Sequence, residues 1–370
     1  MKYYLIAGEA SGDLHGSNLI KALRKKDPNA EMRAWGGDRM ETAGATLVKH
    51  FRELAFMGFL EVLINIRTIL RNIQLAKQDI HSFQPDVLIL IDYPGFNMRI
   101  AEWAKKSGMR VVYYISPQVW AWKESRVKKL RRSVDRMLVI LPFEKAFYKT
   151  WNWEVTYVGH PLMEAIEQFQ MDQHKNSFQN SDRKIIAILP GSRKQEIQTK
   201  LPIMLSVAEF YPQFDWWVAM APGLDDEFYA SFKQTYPTVQ FISNQTYGLL
   251  NHAHAALVTS GTATLETALF GVPQIICYKG NPISYQIAKR LISIKYIGLV
   301  NLIMDKPVVS ELIQDELNSS RLKLELDRIL VDENVRSQIF TDYAKLKSML
   351  LQEKTASENA ADSIMKLLET

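Results

Sequence analysis

Short apolar runs alternate along the chain with longer segments in which apolar residues recur every three or four positions. The short runs are typical of buried β-strands and the longer segments of amphipathic helices, so their alternation predicts βα units around a parallel sheet. The first half holds six such runs, which predict one doubly wound domain. They are Tyr3–Ala7, Met32–Trp35, Val87–Ile91, Val111–Ile115, Met137–Leu141 and Val155–Val158.

A second series of the same kind follows a polar stretch at residues 167–183. The polar stretch predicts a linker, and the series predicts a second Rossmann-like domain at 184–345 after a first at 1–166. Residues 346–370 contain a further helical pattern, Met349–Leu368, which fits packing on either domain. The predicted strands of the second domain are Ile185–Leu189, Trp216–Met220, Val239–Ile242, Ala256–Thr259 and Gln274–Tyr278.

Composition narrows the class of protein. The single cysteine, Cys277, excludes an internal disulfide framework and a thiolate metal site, and 47% apolar residues argue against wholesale disorder. Glu9 and Asp13 stand where a secretory signal would be apolar, so we expect a cytoplasmic protein. A net charge of +5 favours an anionic partner, whether a phosphorylated substrate, a lipid headgroup or a nucleic acid.

Two segments suggest contact with a membrane surface rather than with nucleic acid. The apolar stretch Leu54–Leu75 is interrupted by charged residues, which argues against a membrane span, and Lys123–Arg132 carries six basic residues. Together they fit a peripheral lipid interface, although packing of the apolar helix in the core fits equally well. No helix-turn-helix, zinc or aromatic-sheet motif supports nucleic-acid binding.

The loop after the first predicted strand concentrates polar side chains. Residues 8–16 follow neither the dinucleotide-binding fingerprint nor the Walker pattern, but they open a helix whose N–H groups suit an anion or a sugar. Ligands of α/β proteins bind at the carboxyl ends of the strands. A tight structural turn is the alternative. The candidate residues are Glu9, Ser11, Asp13 and His15.

Asp92 follows the apolar strand Val87–Ile91 directly. A carboxylate at that edge of a parallel sheet, with an apolar strand behind it, is well placed for a general base. The alternative is a turn or helix-capping residue.

Two turns of the second half have the composition of a nucleotide site. Gly191 and Ser192 offer backbone N–H groups beside Arg193, which together suit a diphosphate. The small residues at 260–262 let a ligand approach the backbone. Glu266 lies one helical turn later, where a carboxylate can accept hydrogen bonds from ribose hydroxyls. A solvated turn and a solvated helix face are the alternatives. The candidates in the second turn are Ser260, Gly261, Thr262 and Glu266.

Nine short motifs occur in one order over most of the chain. They are Ala7–Asp13, Met57–Leu63, Ile91–Asn97, Ser116–Trp122, Leu141–Glu144, Val158–Pro161, Leu189–Arg193, Ser260–Glu266 and Asn301–Ile303. The ordered set resembles the lipid-A-disaccharide synthase family. The chain departs from the family's Leu-Pro-Asn-Leu pattern by having Val300 before Asn301.

The resemblance implies a GT-B glycosyltransferase, an α/β protein of two Rossmann-like domains facing across a cleft. It implies transfer of 2,3-diacylglucosamine from UDP to 2,3-diacylglucosamine 1-phosphate, with a β-1,6 linkage, no metal and no cofactor. It also implies peripheral attachment to the cytoplasmic face of the inner membrane of a Gram-negative bacterium, and it leaves a homo-oligomer open.

That reaction assigns roles to the candidate residues. Inversion requires a carboxylate base, for which Asp92 is the first candidate and Glu9 the second. Arg193 and Asn301 would stabilise the departing diphosphate, and Glu266 would hold the ribose. The alternatives are another UDP-sugar enzyme, such as a hexosamine 2-epimerase or a lipid-linked glycosyltransferase, and a non-enzymatic membrane or nucleic-acid binding module.

Overall fold

The chain folds into two compact α/β units in a computed structural model that describes residues 1–53, 66–122, 124–171, 181–282, 285–286 and 294–369. The first unit consists of Met1–Glu164 together with Leu350–Thr370, and the second of Ala165–Met349. Each unit is built around its own parallel sheet.

The first unit contains a seven-stranded sheet in the order β3-β2-β1-β4-β5-β6-β7. Leu5, in the third strand of this order, pairs with Ala34 on one side and Ile89 on the other. Its neighbours Tyr4 and Ile6 enter the hydrophobic core on one face, whereas Tyr3, Leu5 and Ala7 enter the core on the other. The strands are β1 (Lys2–Ala7), β2 (Glu31–Gly36), β3 (Thr46–His50), β4 (Val87–Ile91), β5 (Val111–Tyr114), β6 (Arg136–Val139) and β7 (Thr156–Tyr157).

Helices cover both faces of this sheet, as continuous apolar strands require. They are α1 (Ala10–Lys26), α2 (Asp38–Thr42), α3 (Ile66–Phe83), α4 (Pro94–Lys106), α5 (Val119–Trp122), α6 (Arg126–Ser133), α7 (Glu144–Thr150) and α8 (Pro161–Met171), which runs into the second unit. A short 3-10 helix spans Phe51–Glu53.

The second unit repeats this plan with a six-stranded sheet in the order β10-β9-β8-β11-β12-β13. Its strands are β8 (Ile185–Leu189), β9 (Asp215–Met220), β10 (Gln240–Ser243), β11 (Ala253–Thr259), β12 (Gln274–Tyr278) and β13 (Glu311–Ile313). Its helices are α9 (Lys194–Leu205), α10 (Asp226–Thr235), α11 (Thr246–His252), α12 (Thr262–Leu269), α13 (Leu299–Met304), α14 (Ser319–Val331) and α15 (Glu333–Leu350), with 3-10 helices at Ala208–Phe210 and Gln314–Glu316.

The C-terminal segment forms two helices where the pattern at 349–368 predicts one. Helix α15 ends at Leu350, and α16 (Ala356–Leu368) begins with a capping box in which Thr355 and Glu358 bond each other's backbone. Ala360, Ala361 and Ile364 of α16 lie in the core of the first unit, beside α1. The last helix therefore belongs to the first unit.

The sequence pattern did not predict two of the strands, β3 and β13. The first sheet has seven strands instead of the predicted six because β3, with the sequence Thr-Leu-Val-Lys-His, is an edge strand without a buried residue. Strand β13 is only three residues long. Neither one forms the continuous apolar run on which the prediction depended.

Three predicted segments fall partly outside the described residues. Of Leu54–Leu75, residues 54–65 lie outside, and the rest begins α3. Of the polar stretch 167–183, residues 167–171 end α8, and 172–180 lie outside. Lys123 of the basic cluster also lies outside. Within the part of the chain that the structure describes, no helix is long and apolar enough to cross a membrane.

The strand order defines one position in each sheet where ligands are expected. The chain runs outward from β1 toward β3 and then returns to place β4 on the other side of β1; in the second sheet β8 and β11 stand in the same relation. Open parallel sheets bind ligands outside the carboxyl ends of the strands at such a switch point. The loops that follow β1, β4, β8 and β11 are therefore the expected ligand-binding loops.

Candidate active site

The turn after β4 holds its two residues in an unusual backbone conformation. Asp92 has φ 45° and Tyr93 has φ 49°, the left-handed region that side chains rarely adopt. Pro94 then starts α4. Gly8, at the end of β1, lies beneath the Tyr93 ring so closely that an added Cβ would stand 2.3 Å from it. Such strain persists only where surrounding contacts enforce it, and it concentrates at functional sites.

Asn97 and Tyr113 supply those contacts. The buried Asn97 amide donates hydrogen bonds to the carbonyls of Ile6 at 3.3 Å, Ile91 at 3.2 Å and Asp92 at 2.8 Å, which ties the ends of β1 and β4 together. The Tyr113 hydroxyl donates to the same Asp92 carbonyl at 2.7 Å. Neither residue is assigned a role from the sequence, because the bond from Asn97 to Ile6 and the bond from Tyr113 to Asp92 join segments that are distant in the sequence.

The Asp92 carboxyl has an electrostatic environment suited to proton transfer. Burial raises the pKa of Asp92 to about 6, and the negative charge of Glu9 adds to the rise, whereas a hydrogen bond from the Tyr93 backbone opposes it. Glu9 lies at the start of α1, in the loop after β1. The structure thus brings together the two carboxylates that the sequence proposed as candidate bases. A base with a pKa near 6 is ionised at neutral pH yet retains affinity for a proton.

Asp13 differs from its predicted neighbours because its carboxylate is engaged within the fold. Its oxygens accept hydrogen bonds from the backbone N–H groups of Gly37 at 2.7 Å, Met40 at 3.1 Å and Arg39 at 3.2 Å. The side chain is buried, and these bonds cap the start of α2. Asp13 therefore holds the loop between β2 and α2 in place.

Ser11 and His15 remain available at this edge of the sheet. Ser11 is exposed, and the buried Nδ1 of His15 has no hydrogen-bond partner among the described residues. Burial lowers the pKa of His15 to about 4, so the imidazole is neutral at pH 7. His160, in the loop after β7, is also neutral: burial and the nearby His15 lower its pKa to about 3.

The second unit contains a cavity of about 370 Å³ at its own switch point. Three loops form it, one after each of the strands β8, β9 and β11, together with Thr246 at the start of α11. Its lining includes, from the sequence candidates, Gly191, Ser192, Arg193, Ser260, Gly261, Thr262 and Glu266.

Glycine is needed at two turns of this cavity. Gly191 has φ 110° and Gly261 has φ 146°, and each immediately precedes the polar start of a helix. A Cβ at position 191 would stand 2.9 Å from a carboxylate oxygen of Glu196 and 3.4 Å from the Thr259 methyl. Both turns therefore keep the backbone bare, which allows an anion to approach free helix N–H groups.

The polar side chains of the cavity have distinct environments. Arg193 donates to Glu196 at 3.0 Å and is largely exposed. The Tyr247 hydroxyl donates to Glu266 at 3.0 Å, whereas burial raises the pKa of Glu266. The Thr259 hydroxyl is buried without a hydrogen-bond partner among the described residues, a state that a polar ligand would relieve.

The side chains of Ser260 and Asn301 form hydrogen bonds within the second unit. The Ser260 hydroxyl donates to the carbonyl of Ile297 at 2.8 Å. Asn301 is fully buried: its amide donates to Val309 at 2.8 Å and to Glu311 at 3.0 Å, and its oxygen accepts from the Val309 N–H at 3.0 Å. Asn301 fastens α13 to the segment before β13, and it is absent from the lining of the cavity.

Three polar side chains in or beside this cavity are assigned no role from the sequence: Thr259, Glu196 and Lys200. Thr259 ends the predicted strand Ala256–Thr259, and Lys200 is buried although it lies in a largely polar helical segment. Across the described ranges, no three His, Cys, Asp or Glu side chains come together as metal ligands would.

Two parallel-sheet α/β units of this kind define the GT-B class of glycosyltransferases and related epimerases. Among solved structures, UDP-GlcNAc 2-epimerase from Neisseria meningitidis bound to UDP-GlcNAc has a TM-score of 0.68 at 13% identity, over 100% of both chains. The calicheamicin glycosyltransferase CalG4 has a TM-score of 0.62 at 16% identity, over 99% of this chain and 98% of that one. At such identities the likeness concerns the fold.

Within that class, residues 3–366 match the family model described as lipid-A-disaccharide synthetase, and the chain belongs to this family. It is 40% identical over 354 residues to the lipid-A-disaccharide synthase of Syntrophus aciditrophicus, covering 94% of this chain and 92% of the relative. It is 36% identical over 378 residues to that of Coxiella burnetii, covering 98% of each. The chain is therefore a glycosyltransferase of lipid A biosynthesis that uses lipid-linked sugars, which confirms the resemblance.

Proposed function

We propose that the chain transfers 2,3-diacylglucosamine from UDP to the 6-hydroxyl of 2,3-diacylglucosamine 1-phosphate, which yields the β-1,6 disaccharide 1-phosphate and UDP. The observation that carries this proposal is the division of chemistry between the two switch points. A carboxylate with a raised pKa occupies one, and a cavity with bare glycine turns and an arginine occupies the other.

Asp92 acts as the general base. Conversion of an α-linked sugar nucleotide into a β-linked product inverts the anomeric carbon, so one carboxylate must take the proton of the attacking hydroxyl. The strained turn fixes the backbone of Asp92, and burial together with Glu9 keeps its carboxylate basic. Glu9 acts on the proton affinity of Asp92 rather than as a base itself. Ser11 and His15 contact the acceptor sugar.

The cavity of the second unit holds the UDP portion of the donor. The N–H groups after Gly191 and Gly261, with Ser192 and Thr262, face the diphosphate, and Arg193 stabilises the charge that grows on it as the bond to the sugar breaks. Glu266 accepts hydrogen bonds from the ribose hydroxyls, and the buried Thr259 hydroxyl forms a hydrogen bond with a ligand oxygen. The related fold of an epimerase with bound UDP-GlcNAc supports a UDP-sugar ligand.

Product analysis tests this proposal. The purified chain is incubated in detergent with UDP-2,3-diacylglucosamine and 2,3-diacylglucosamine 1-phosphate, and the lipids are analysed by mass spectrometry. We expect a disaccharide monophosphate in the presence of EDTA. Recovery of an isomerised UDP-sugar without disaccharide would favour an epimerase, and recovery of unchanged substrates would contradict both.

We further propose that the chain acts at the cytoplasmic face of the inner membrane, through the outward side of α3. Ile73, Ala76 and Ile80 pack this helix into the core. Away from these core contacts Leu70 is 54% exposed and Leu75 is 43% exposed, with Arg67 and Arg71 also exposed. Exposed apolar side chains among arginines fit an anionic lipid surface.

Vesicle co-sedimentation tests the membrane contact. The double change Leu70→Ser and Leu75→Ser should weaken binding to anionic vesicles and leave the melting temperature within a few degrees of the wild type. The matched control is Leu324→Ser with Val331→Ser, which removes two exposed apolar side chains from the second unit. Equal vesicle binding by the α3 variant and the control would contradict the proposal.

A further inference from the structure

The charges around the cavity of the second unit pose a problem for binding a diphosphate. Three of its described lining residues have ionisable side chains: Arg193, Glu196 and Glu266. Two carboxyl groups thus accompany one guanidinium. A diphosphate adds more negative charge, and like charges at short range oppose binding.

Glu196 stands where this conflict is sharpest. One of its carboxylate oxygens accepts the hydrogen bond from Arg193 at 3.0 Å. The other lies 2.9 Å from the position that a Cβ on Gly191 would take, which places it against the bare turn after β8. Left alone, this carboxylate would neutralise Arg193 and repel an anion at that turn.

Lys200 lies one helical turn beyond Glu196 on α9 and forms an ion pair with its carboxylate. Its Nζ stands 3.7 Å from the Glu196 carboxylate oxygen that faces Gly191, and its side chain is 2% exposed. Burial lowers the pKa of Lys200, and the charge of Glu196 opposes that effect. A buried ammonium without a carboxylate would be costly, so each group supports the charge of the other. The three side chains form a row of alternating charge, with Arg193 at the exposed end.

We propose that Lys200 is a positioning residue for the diphosphate: it compensates Glu196, so that Arg193 can exchange its contact with Glu196 for a contact with the ligand. The inference rests on the proposed function, since it assumes that this cavity holds UDP. Lys200 itself does not touch the ligand. The competing interpretation is that Glu196 merely favours the helix N-terminus and that Lys200 is an ordinary buried ion-pair partner.

Isothermal titration of the full chain with UDP and with uridine separates these interpretations, because uridine lacks the phosphates. Lys200→Met leaves Glu196 uncompensated. We expect this variant to bind UDP about tenfold more weakly, which corresponds to about 1.4 kcal/mol, and to bind uridine with unchanged affinity. Glu196→Gln removes the negative charge that would repel the diphosphate, so its UDP affinity should stay within about threefold of the wild type. The double variant Lys200→Met with Glu196→Gln should behave in the same way. Lys233→Met, which breaks an exposed ion pair in the same unit, is the control.

Several results would overturn the inference. Equal losses for UDP and uridine in Lys200→Met would show that Lys200 only maintains the shape of the cavity, and unchanged UDP affinity would show that it has no effect. If Lys200→Met does not fold, the double variant decides: a tenfold loss of UDP affinity would show that the ammonium itself is required, against compensation. Failure of the wild type to bind UDP would instead contradict the proposed function.

Discussion

The two switch points occupy the same place in the same topology, yet they offer opposite chemistry. After β4, two residues in the left-handed region present a carboxylate whose pKa lies near 6 beside the carboxylate of Glu9. After β8 and β11, Gly191 and Gly261 leave the backbone bare, and Arg193 stands at the opening. The shared topology therefore gives the same expected ligand position in both units, and the turn residues distinguish the chemistry that each position offers.

The two turns also differ in how their backbones are held. Side-chain hydrogen bonds from Asn97 and Tyr113 to its carbonyl hold Asp92 at a positive φ that its side chain disfavours, whereas Gly191 and Gly261 adopt positive φ without a steric cost. A positioned base must stay fixed while a proton moves, and a phosphate site must let the ligand approach N–H groups. The comparison thus predicts that changes in the first site affect turnover and changes in the second affect affinity for UDP.

The largest expected effect is on turnover in the first site. Asp92→Asn keeps the shape of the side chain but cannot accept the hydroxyl proton, so we expect kcat to fall by about 10²–10⁴-fold. A radiolabelled or mass-spectrometric assay of disaccharide formation measures this. Near-normal kcat in this variant would transfer the role of base to Glu9, and Glu9→Gln then becomes the decisive variant.

In the second site the expected effect is on UDP binding. Arg193→Ala would remove the proposed charge-assisted contact to the diphosphate, and we expect UDP to bind about 10–100-fold more weakly, with a parallel loss in kcat/KM. Calorimetric titration with UDP measures the affinity. Unchanged affinity together with unchanged rate would move the diphosphate away from this turn.

Asp13 lies in the loop after β1, and its carboxylate accepts three backbone hydrogen bonds at the start of α2, so we expect its main contribution to be to stability. Asp13→Ala leaves three backbone N–H groups at the start of α2 without their acceptor, so we expect the free energy of unfolding to fall by about 1–3 kcal/mol. Denaturant titration measures this change, with Ser11→Ala as an exposed control. An unchanged stability combined with a raised KM for the acceptor would restore Asp13 to a binding role.

The smallest expected effect is a shift in pH dependence. Protonated Asp92 cannot act as a base, so kcat/KM should fall as the pH decreases below about 6. Because the charge of Glu9 contributes to the raised pKa, Glu9→Gln should lower the pKa of Asp92 and move the acid limb to lower pH. A pH–rate profile of both proteins tests this. An identical acid limb in the variant would separate Glu9 from the proton affinity of Asp92.

Sequence patterns predicted most of the fold because buried parallel strands are continuous apolar runs. Val87–Ile91, Ile185–Leu189 and Gln274–Tyr278 have the predicted bounds in the structure. The edge strand β3 and the short β13 carry no such run. Their pairing depends on neighbours that are distant in the sequence.

The sites divide in a similar way. The placement of Asp92 and Arg193 follows from their positions after apolar strands. The internal roles of Asp13 and Asn301 do not, because a polar residue in a loop looks the same whether it faces a ligand or caps a distant backbone. Thr259 and Lys200 are assigned no role from the sequence. Each is a buried polar group, but it lies in a segment whose pattern is that of an ordinary strand or helix.

If the two switch points perform separable steps, proton removal at one and diphosphate binding at the other, a change at the first should spare UDP binding. UDP titration of Asp92→Asn, with kcat measured on the same protein, separates the two steps. We expect this variant to bind UDP within about twofold of the wild type while its turnover falls by about 10²-fold or more. A loss of UDP affinity as large as that of Arg193→Ala would show that the two steps are not separable.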